Sequence, residues 1–454
     1  MSVSAAAPLP GLEVSDSPSW DDEPASTTGR KRITSGVALR PLGLFFAGVV
    51  TISGHVGLGL GLLGPLSALP TLALGITALL FLMLLPGRNG GGSGLLAVLA
   101  AFVIASPGFL FAGSHEYATD KVSAMFTIVL PLLLSVSFLA RAPQDLNSFW
   151  RGVYGLAVFG VLVAFVDLVS GVDIGARGSD VDSLLNPIAA GRLAGTVVLW
   201  TLFGRVRRIT GLGRAALVLM SLAVLLSAAS RGPLLALLIA LGLTGLGFRA
   251  LRGKMLVGAV VAGVALIVGV GNLVLAESGD RILAGGDEGG TGSRSFLWGQ
   301  AIDAIKVWPE GIGWGQYSAE GKIGAAAEYP HNFLLELAME AGVIAGICFL
   351  LFFVMVLRKL WFEMERVGPQ HFALLVFWFV TAMFSSDMNG NRVLVIALFA
   401  TFAAFRHELA DEKRQHELFD PLIEPHPLVD PYVQTGVAGS FPTTRQWRAS
   451  HGRP

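Results

Sequence analysis

Apolar runs long enough to cross a lipid bilayer recur along the chain, and no other feature constrains its fold as strongly. A helix needs about 20 consecutive apolar residues to cross the hydrocarbon core. The chain is 53% hydrophobic and 14% charged, which excludes a disordered protein or an ordinary soluble one. The sequence therefore predicts an all-α, polytopic membrane protein.

The runs predict about 12 transmembrane helices. The predicted spans are 39–57, 64–86, 94–112, 123–140, 151–171, 187–204, 214–229, 232–248, 255–276, 332–357, 370–386 and 391–406. Residues 38–406 thus form the predicted membrane domain. Residues 1–37 are rich in Ser, Pro, Ala and acidic residues, which predicts a disordered N-terminal tail. Residues 407–454 are predicted to form a flexible C-terminal extension.

The loop charges predict the orientation of the helices. With the N-terminus inside, 23 of the 32 lysines and arginines fall on the cytoplasmic side and nine on the other. Cytoplasmic loops carry the excess of basic residues in membrane proteins. We therefore expect both termini in the cytoplasm of a multi-pass protein of the cytoplasmic (inner) membrane. The outer side then carries a large loop, about 277–330, that contains amphipathic surface helices.

The end of this outer loop, YPHNFLLELAMEAG at 329–342, places polar residues at the mouth of an apolar helix. Asn332 is a predicted helix cap. The positive end of a helix dipole disfavours protonation of His331, and a neutral imidazole can act as a general base. The alternative for His331 is a polar cap at the membrane interface. Glu336 and Glu340 share one helix face, and either catalysis or a salt bridge to a neighbouring arginine would explain them.

Two arginines on the outer side are candidate anion ligands, because a guanidinium binds phosphate oxygens in a bidentate manner and keeps its charge. Arg192 lies inside the sixth span, where the alternative is a snorkelling side chain. Arg231 follows Ser230 in a tight turn that opens the next helix. Arg294 opens a predicted surface helix, and an interfacial anchor would explain the tryptophans of that helix but not Arg294.

That surface helix has an apolar stripe formed by Leu297, Ala301, Ile305 and Trp308, and we expect the stripe to lie on the membrane. The glycine-rich segment 311–315 follows and predicts a flexible turn between surface helices, not a nucleotide-binding loop. Asp387 and Arg392 flank a short outer turn of Asn-Gly type, with a supporting role beside the site as the alternative.

The composition predicts neither a metal site nor a nucleic-acid interface. The eight histidines have no ligand spacing within one helix, and the basic residues form short loop clusters instead of one basic face. We expect no cofactor.

These features together resemble the O-antigen ligase and polymerase superfamily. The resemblance rests on Arg192, on Ser230-Arg231, on Arg294-x-x-x-Trp298 and on Trp308-Pro-x-Gly-x-Gly313 leading to His331-Asn-Phe-Leu-Leu-Glu336. It covers roughly residues 40–405 and is most specific from 292 to 345.

The resemblance implies a metal-independent glycosyltransferase. Such an enzyme moves a glycan from a polyprenyl-pyrophosphate carrier to a glycan, lipid or protein acceptor at the outer face of the cytoplasmic membrane. It implies that His331 activates the acceptor and that Arg192, Arg231 and Arg294 bind the pyrophosphate. Asn332 and Glu336 are further candidate substrate-binding residues.

Other classes of protein remain as alternatives. A secondary transporter or a polysaccharide exporter component would suit 12 spans, although the sequence has no convincing half-to-half repeat and its polar residues collect at the outer face. A structural partner of an envelope complex is a third interpretation, but it leaves three outer arginines and a histidine unexplained. Within the family, the residues do not separate a ligase from a polymerase or a protein glycosylase.

Overall fold

The computed structural model describes residues 35–57, 92–171, 185–204, 209–228, 230–247, 291–325, 327–385 and 387–419, and all regular elements there are helical. The helices of the first half are α1 Ser35–Gly57, α2 Gly92–Ile104, α3 Ser106–Leu110, α4 Glu116–Ala124, α5 Leu130–Leu139, α6 Leu146–Val169, α7 Pro187–Phe203, α8 Gly211–Ser227 and α9 Arg231–Gly247. The second half contains α10 Thr291–Val307, α11 Phe333–Glu340, α12 Val343–Phe362, α13 Met364–Val367, α14 Pro369–Ala382 and α15 Arg392–Phe419. A π-helical turn, Met125–Val129, joins α4 to α5.

Within these ranges, four helical segments are long and apolar enough to cross a bilayer. They are Glu116–Leu139, Pro143–Val169, Val343–Phe362 and Arg392–Ala410. Five shorter apolar helices accompany them. The predicted all-α fold of a membrane protein is confirmed, whereas the predicted spans 64–86 and 255–276 lie outside the described residues and the number 12 stays a prediction.

Three helices form the centre of the bundle. In α7 every residue from Ala189 to Thr201 is buried, so neighbours surround this helix on all sides. Helix α14 is similarly enclosed over most of its length, and so is α15 from Arg392 to Phe405. In contrast, α12 exposes large apolar side chains, among them Ile344 at 72% and Phe362 at 71%, as a lipid-facing helix does.

Paired glycines bring α1 and α6 into close contact. A Cβ atom on Gly48 would lie 2.0 Å from the carbonyl oxygen of Phe149, and one on Gly152 would lie 1.9 Å from that of Phe45. Small residues allow this approach of helix backbones in membrane proteins. The N-terminal helix is therefore packed tightly into the bundle.

The structure differs from the predicted elements at two helix ends. The predicted span 332–357 is broken into α11 and α12 at Gly342, whose φ is +101°, and the amide of Val343 donates to the carbonyl of Pro309 at 2.9 Å. Apolar residues continue across this break, so the sequence pattern does not indicate it. The last helix extends to Phe419, into the predicted C-terminal extension.

Candidate functional site

His331 lies just before α11 in an unusual backbone conformation. Its φ is +57°, and it is the one non-glycine residue with positive φ in the described part of the chain. The ring of Tyr329 lies 4.6 Å from the imidazole, centroid to centroid. Asn332 caps α11 as predicted, because its Oδ1 accepts a hydrogen bond from the amide of Leu335 at 3.1 Å. The candidate base therefore stands at a fixed helix N-terminus.

Tyr329 is a neutral neighbour of this histidine. Burial raises the pKa of its phenol to about 12, and the carboxylate of Asp387 acts in the same direction. The hydroxyl thus keeps its proton at neutral pH and can donate a hydrogen bond.

Glu336 and Glu340 share a buried partner, the side chain of Lys121. Its Nζ is 2.5 Å from Glu336 Oε1 and 2.5 Å from Glu340 Oε2. All three side chains are at most 1% exposed. The predicted salt bridge therefore exists, but its cation is a lysine of α4 and not an arginine. We call Lys121, Glu336 and Glu340 the buried charge cluster.

Aromatic rings border the buried charge cluster. The ammonium group of Lys121 lies 5.5 Å from the ring centroids of both Tyr117 and Trp314, a distance at which cation–π attraction operates. Among the described residues, the Tyr117 hydroxyl and Glu336 Oε2 have no hydrogen-bond partner. Two polar atoms beside the cluster are thus available to a water molecule or a substrate group.

The glycine-rich segment 311–315 is a buried strap that contacts this cluster. Gly311, Gly313 and Gly315 all have positive φ, at 106°, 101° and 79°. The amide of Gly313 donates to the carbonyl of Glu340 at 3.0 Å, and the amide of Gly315 donates to the Glu340 carboxylate at 3.1 Å. The prediction of a flexible turn is wrong, because these glycines serve close packing and bonded left-handed backbone.

Arg192 is fully buried beneath the turn between α14 and α15. Its Nη2 donates to Asn391 Oδ1 at 2.8 Å and to the carbonyl of Ser385 at 2.9 Å. Its Nη1 donates to the carbonyl of Gly390 at 3.1 Å and lies 3.2 Å from His55 Nε2. The arginine therefore organises this turn through protein contacts, which differs from both a snorkelling side chain and an open anion ligand.

A second buried arginine, Arg392, lies on the other side of the same turn. Its Nε donates to the carbonyl of Thr51 at 2.8 Å. A Cβ atom on Gly54 would lie 2.1 Å from its guanidinium, so the glycine makes room for it. Asp387 accepts from the amide of Gly390 at 2.8 Å, and the predicted turn between α14 and α15 is confirmed.

Arg231 begins α9 close to these arginines. A Cβ atom on Gly191 would lie 3.0 Å from Pro233, and one on Gly232 would lie 3.2 Å from Phe384. The first turn of α9 therefore contacts both the Arg192 segment and the end of α14. Ser230, which precedes it, is buried.

Arg294 lies in the first turn of α10, partly buried. The predicted stripe on this helix exists, but it packs against protein, since Leu297 and Ala301 join a small core with Tyr317 and Met339. The Tyr317 hydroxyl donates to the carbonyl of Leu297 at 3.0 Å. The expectation that this stripe lies on the membrane is therefore wrong, while α10 packs beside α11, the helix that follows His331.

An apolar cavity of about 320 Å³ opens next to the buried charge cluster. Its walls come from α2, α5, α12 and α15, and they are almost entirely aliphatic and aromatic. Trp314 and Met388 line it as well, and both also contact the cluster. In the part of the chain that is described, no group of three or more His, Cys, Asp or Glu side chains is arranged to hold a metal ion.

Sequence reasoning missed Lys121, His55 and Asn391. The signal for Lys121 was present, since it is a lone lysine at the start of an apolar helix, where a charge calls for a partner. His55 and Asn391 carried no signal of this kind, because both are common at helix ends.

The helical bundle with charged groups buried at one end is that of a membrane protein. Within it, residues 215–350 match the family model described as O-antigen ligase, which supports membership of the O-antigen ligase and polymerase superfamily. The matched range contains Arg231, Arg294, His331 and Glu336, while Lys121 and Arg192 lie outside it. No curated protein matches the chain. O-antigen ligase-type glycan transfer is the general activity that this family implies.

Proposed function

We propose that this protein transfers a glycan from a polyprenyl-pyrophosphate carrier to an acceptor hydroxyl at the outer face of the cytoplasmic membrane. The observation that carries the proposal is a convergence at one end of the bundle. His331 lies just before α11, and α11 is joined there to the turn held by Arg192 by the hydrogen bond from the amide of Met388 to Glu336, 3.1 Å long. A base and positively charged side chains are the two elements that this reaction needs.

In the proposed reaction, His331 accepts the proton of the acceptor hydroxyl as its oxygen attacks the anomeric carbon. The new carbon–oxygen bond forms while the bond to the pyrophosphate oxygen breaks, and the pyrophosphate leaves with the electron pair. General base catalysis contributes typically about 10²–10⁴-fold to such a step. Inversion at the anomeric carbon follows from this single displacement.

The arginines stabilise the charge that develops on the leaving group. We assign direct contact with the pyrophosphate to Arg231 and Arg294, which are partly exposed. Arg192 and Arg392 are buried, and we propose that they act as fixed positive charges behind the site while they hold the turn. Preorganised charge of this kind stabilises transition states without reorganisation.

The apolar cavity suits the lipid part of the proposed donor. An isoprenoid chain is apolar and flexible. The cavity walls would contact it through aromatic and aliphatic side chains, which need no hydrogen bonds from it. The cavity reaches Met388, which lies in the turn held by Arg192, so a chain inside it would bring its pyrophosphate end toward that turn.

Reconstitution tests the proposal directly. Purified protein in lipid vesicles, given a polyprenyl-pyrophosphate-linked glycan and an acceptor glycan, should form the coupled product and release polyprenyl pyrophosphate. A deletion strain should accumulate the lipid-linked glycan and lose surface polysaccharide. Translocation of the donor without coupled product would instead favour a transporter.

A further inference from the structure

Lys121 ties together three segments that are far apart in sequence. Glu336 lies in the first turn of α11 and Glu340 is its last residue, so one ammonium group holds both ends of this short helix. The partners are 215 and 219 residues from Lys121 along the chain. The interaction is therefore a long-range tertiary contact and does not arise from the local geometry of one helix.

Each carboxylate also accepts a hydrogen bond from the backbone of another segment. Glu336 Oε1, the atom bonded to Lys121, also accepts from the amide of Met388 at 3.1 Å. Glu340 accepts from the amide of Gly315 at 3.1 Å. The buried charge cluster thus joins α11, the turn held by Arg192 and the glycine strap.

Stability alone is a poor explanation for these buried charges. Removing charges from water costs free energy that their attraction often only balances, and apolar replacements are frequently as stable or more stable. What such a cluster supplies is geometry, because each charged group requires its partners at fixed positions. The geometry fixed here includes His331, which lies two residues before α11 begins.

We propose that Lys121 is a positioning residue that fixes the distance between His331 and the turn held by Arg192. The inference rests on the proposed function, in which His331 and the arginine side chains must act on one substrate. Lys121 itself touches no substrate in this scheme. Because a displacement of about 1 Å can cost about 10²-fold in rate, its loss should lower kcat more than it weakens donor binding.

Two variants separate positioning from folding. Lys121→Met combined with Glu336→Gln and Glu340→Gln removes every charge of the cluster, yet glutamine can still accept from the amides of Met388 and Gly315. Lys121→Arg keeps the charges and both glutamates but places a larger group between them. The matched control is Lys306→Met, because Lys306 is 68% exposed and pairs with Asp303 on the surface of α10.

Turnover and distance are measured on the same proteins. In reconstituted vesicles we expect kcat to fall at least about tenfold in both variants, with the KM for the lipid-linked donor within about threefold of wild type. Spin labels at Glu328 and Arg406, in a Cys348→Ala background, report the position of the histidine-bearing segment relative to the middle of α15, the helix that follows the turn held by Arg192. We expect this distance distribution to broaden or shift in both variants and to stay unchanged in Lys306→Met.

Unchanged distances in both variants, or wild-type kcat in both, would overturn the inference. If the neutral triple variant does not accumulate, Lys121→Arg decides alone, and wild-type kcat and distance in that protein reject the positioning role. A wild-type protein that transfers no glycan would instead reject the proposed function, while the distance measurement would still decide what Lys121 positions.

Discussion

Arg192 Nη2 and Asn391 Oδ1 lie 2.8 Å apart at the turn between α14 and α15, although 199 residues separate them in the chain. The same nitrogen donates to the carbonyl of Ser385, which Asn391 also contacts through its Nδ2 at 3.3 Å. The arginine and the asparagine thus satisfy the backbone that follows α14, where helical partners end. An arginine that resembles a ligand in the sequence is in this structure the support of a turn.

This arrangement predicts that Arg192→Lys lowers stability before it affects chemistry. An ammonium group has three donors and cannot reproduce the planar fork, so buried acceptors would lose their bonds at a cost of roughly 1–3 kcal/mol each. We expect a lower midpoint of thermal unfolding in detergent, measured by tryptophan fluorescence. Arg231→Lys is the matched comparison, because that side chain is partly exposed, and it should unfold like wild type. An Arg192→Lys protein with wild-type stability and weakened donor binding would restore the direct ligand role.

The glycine strap predicts a second, purely steric effect. A Cβ atom on Gly313 would lie 1.8 Å from the carbonyl oxygen of Phe111, and the residue has a φ of +101°. Gly313→Ala should therefore disrupt packing and prevent accumulation of folded protein. Gly299→Ala in α10 is the control, since nothing lies within 4 Å of its added methyl group, and it should stabilise that helix by roughly 1 kcal/mol. Equal amounts of folded protein from both variants in size-exclusion chromatography would contradict this account.

The charge pattern predicts which end of the bundle faces outward. Lys121, Arg192 and Arg392 fall on the predicted outer side, and Arg366, which pairs with Glu408 at 2.8 Å, falls on the predicted cytoplasmic side. With Cys348→Ala as background, Glu320→Cys should react with an impermeant maleimide in intact cells, and Ala410→Cys should react only after permeabilisation. Both positions are exposed. Labelling of Ala410→Cys in intact cells would reverse the predicted topology.

Local features of the site could be predicted from the sequence, whereas its long-range contacts could not. The cap at Asn332 and the start of α9 at Arg231 follow from residues within one helical turn. The partner of Glu336 and Glu340 lies more than 200 residues away. The sequence therefore predicts that these carboxylates need a cation but does not identify it, and the expected arginine is a lysine in the structure. Gly313 could not be interpreted from the sequence for a different reason. A glycine in a flexible turn and a glycine packed against a carbonyl group, as Gly313 is against Phe111, look alike in sequence.

Independence from divalent cations follows from the proposed use of arginine charge at the leaving group. Transfer by the purified protein should continue in excess chelator, because guanidinium groups supply the electrostatic stabilisation that a metal ion supplies elsewhere. Product formation with and without chelator is the measurement, and the control is a restored magnesium concentration. Complete and reversible loss of turnover in chelator would reject metal independence.

The separate roles of His331 and the exposed arginines give the sharpest test of the proposed reaction. If His331 removes the acceptor proton, His331→Ala should lower turnover by about a hundredfold or more and still bind the lipid-linked donor. Arg231→Lys and Arg294→Lys should weaken donor binding or slow departure of the pyrophosphate, because an ammonium cannot bind it through a bidentate fork. Donor binding by fluorescence and product formation under single-turnover conditions distinguish the two patterns.

Asn332→Ala serves as the structural comparison for His331→Ala. Losing a helix cap costs roughly 0.5–2 kcal/mol, so this variant should show a lower free energy of unfolding. Near-normal turnover of His331→Ala at wild-type protein level would leave this histidine as a polar cap at the membrane interface.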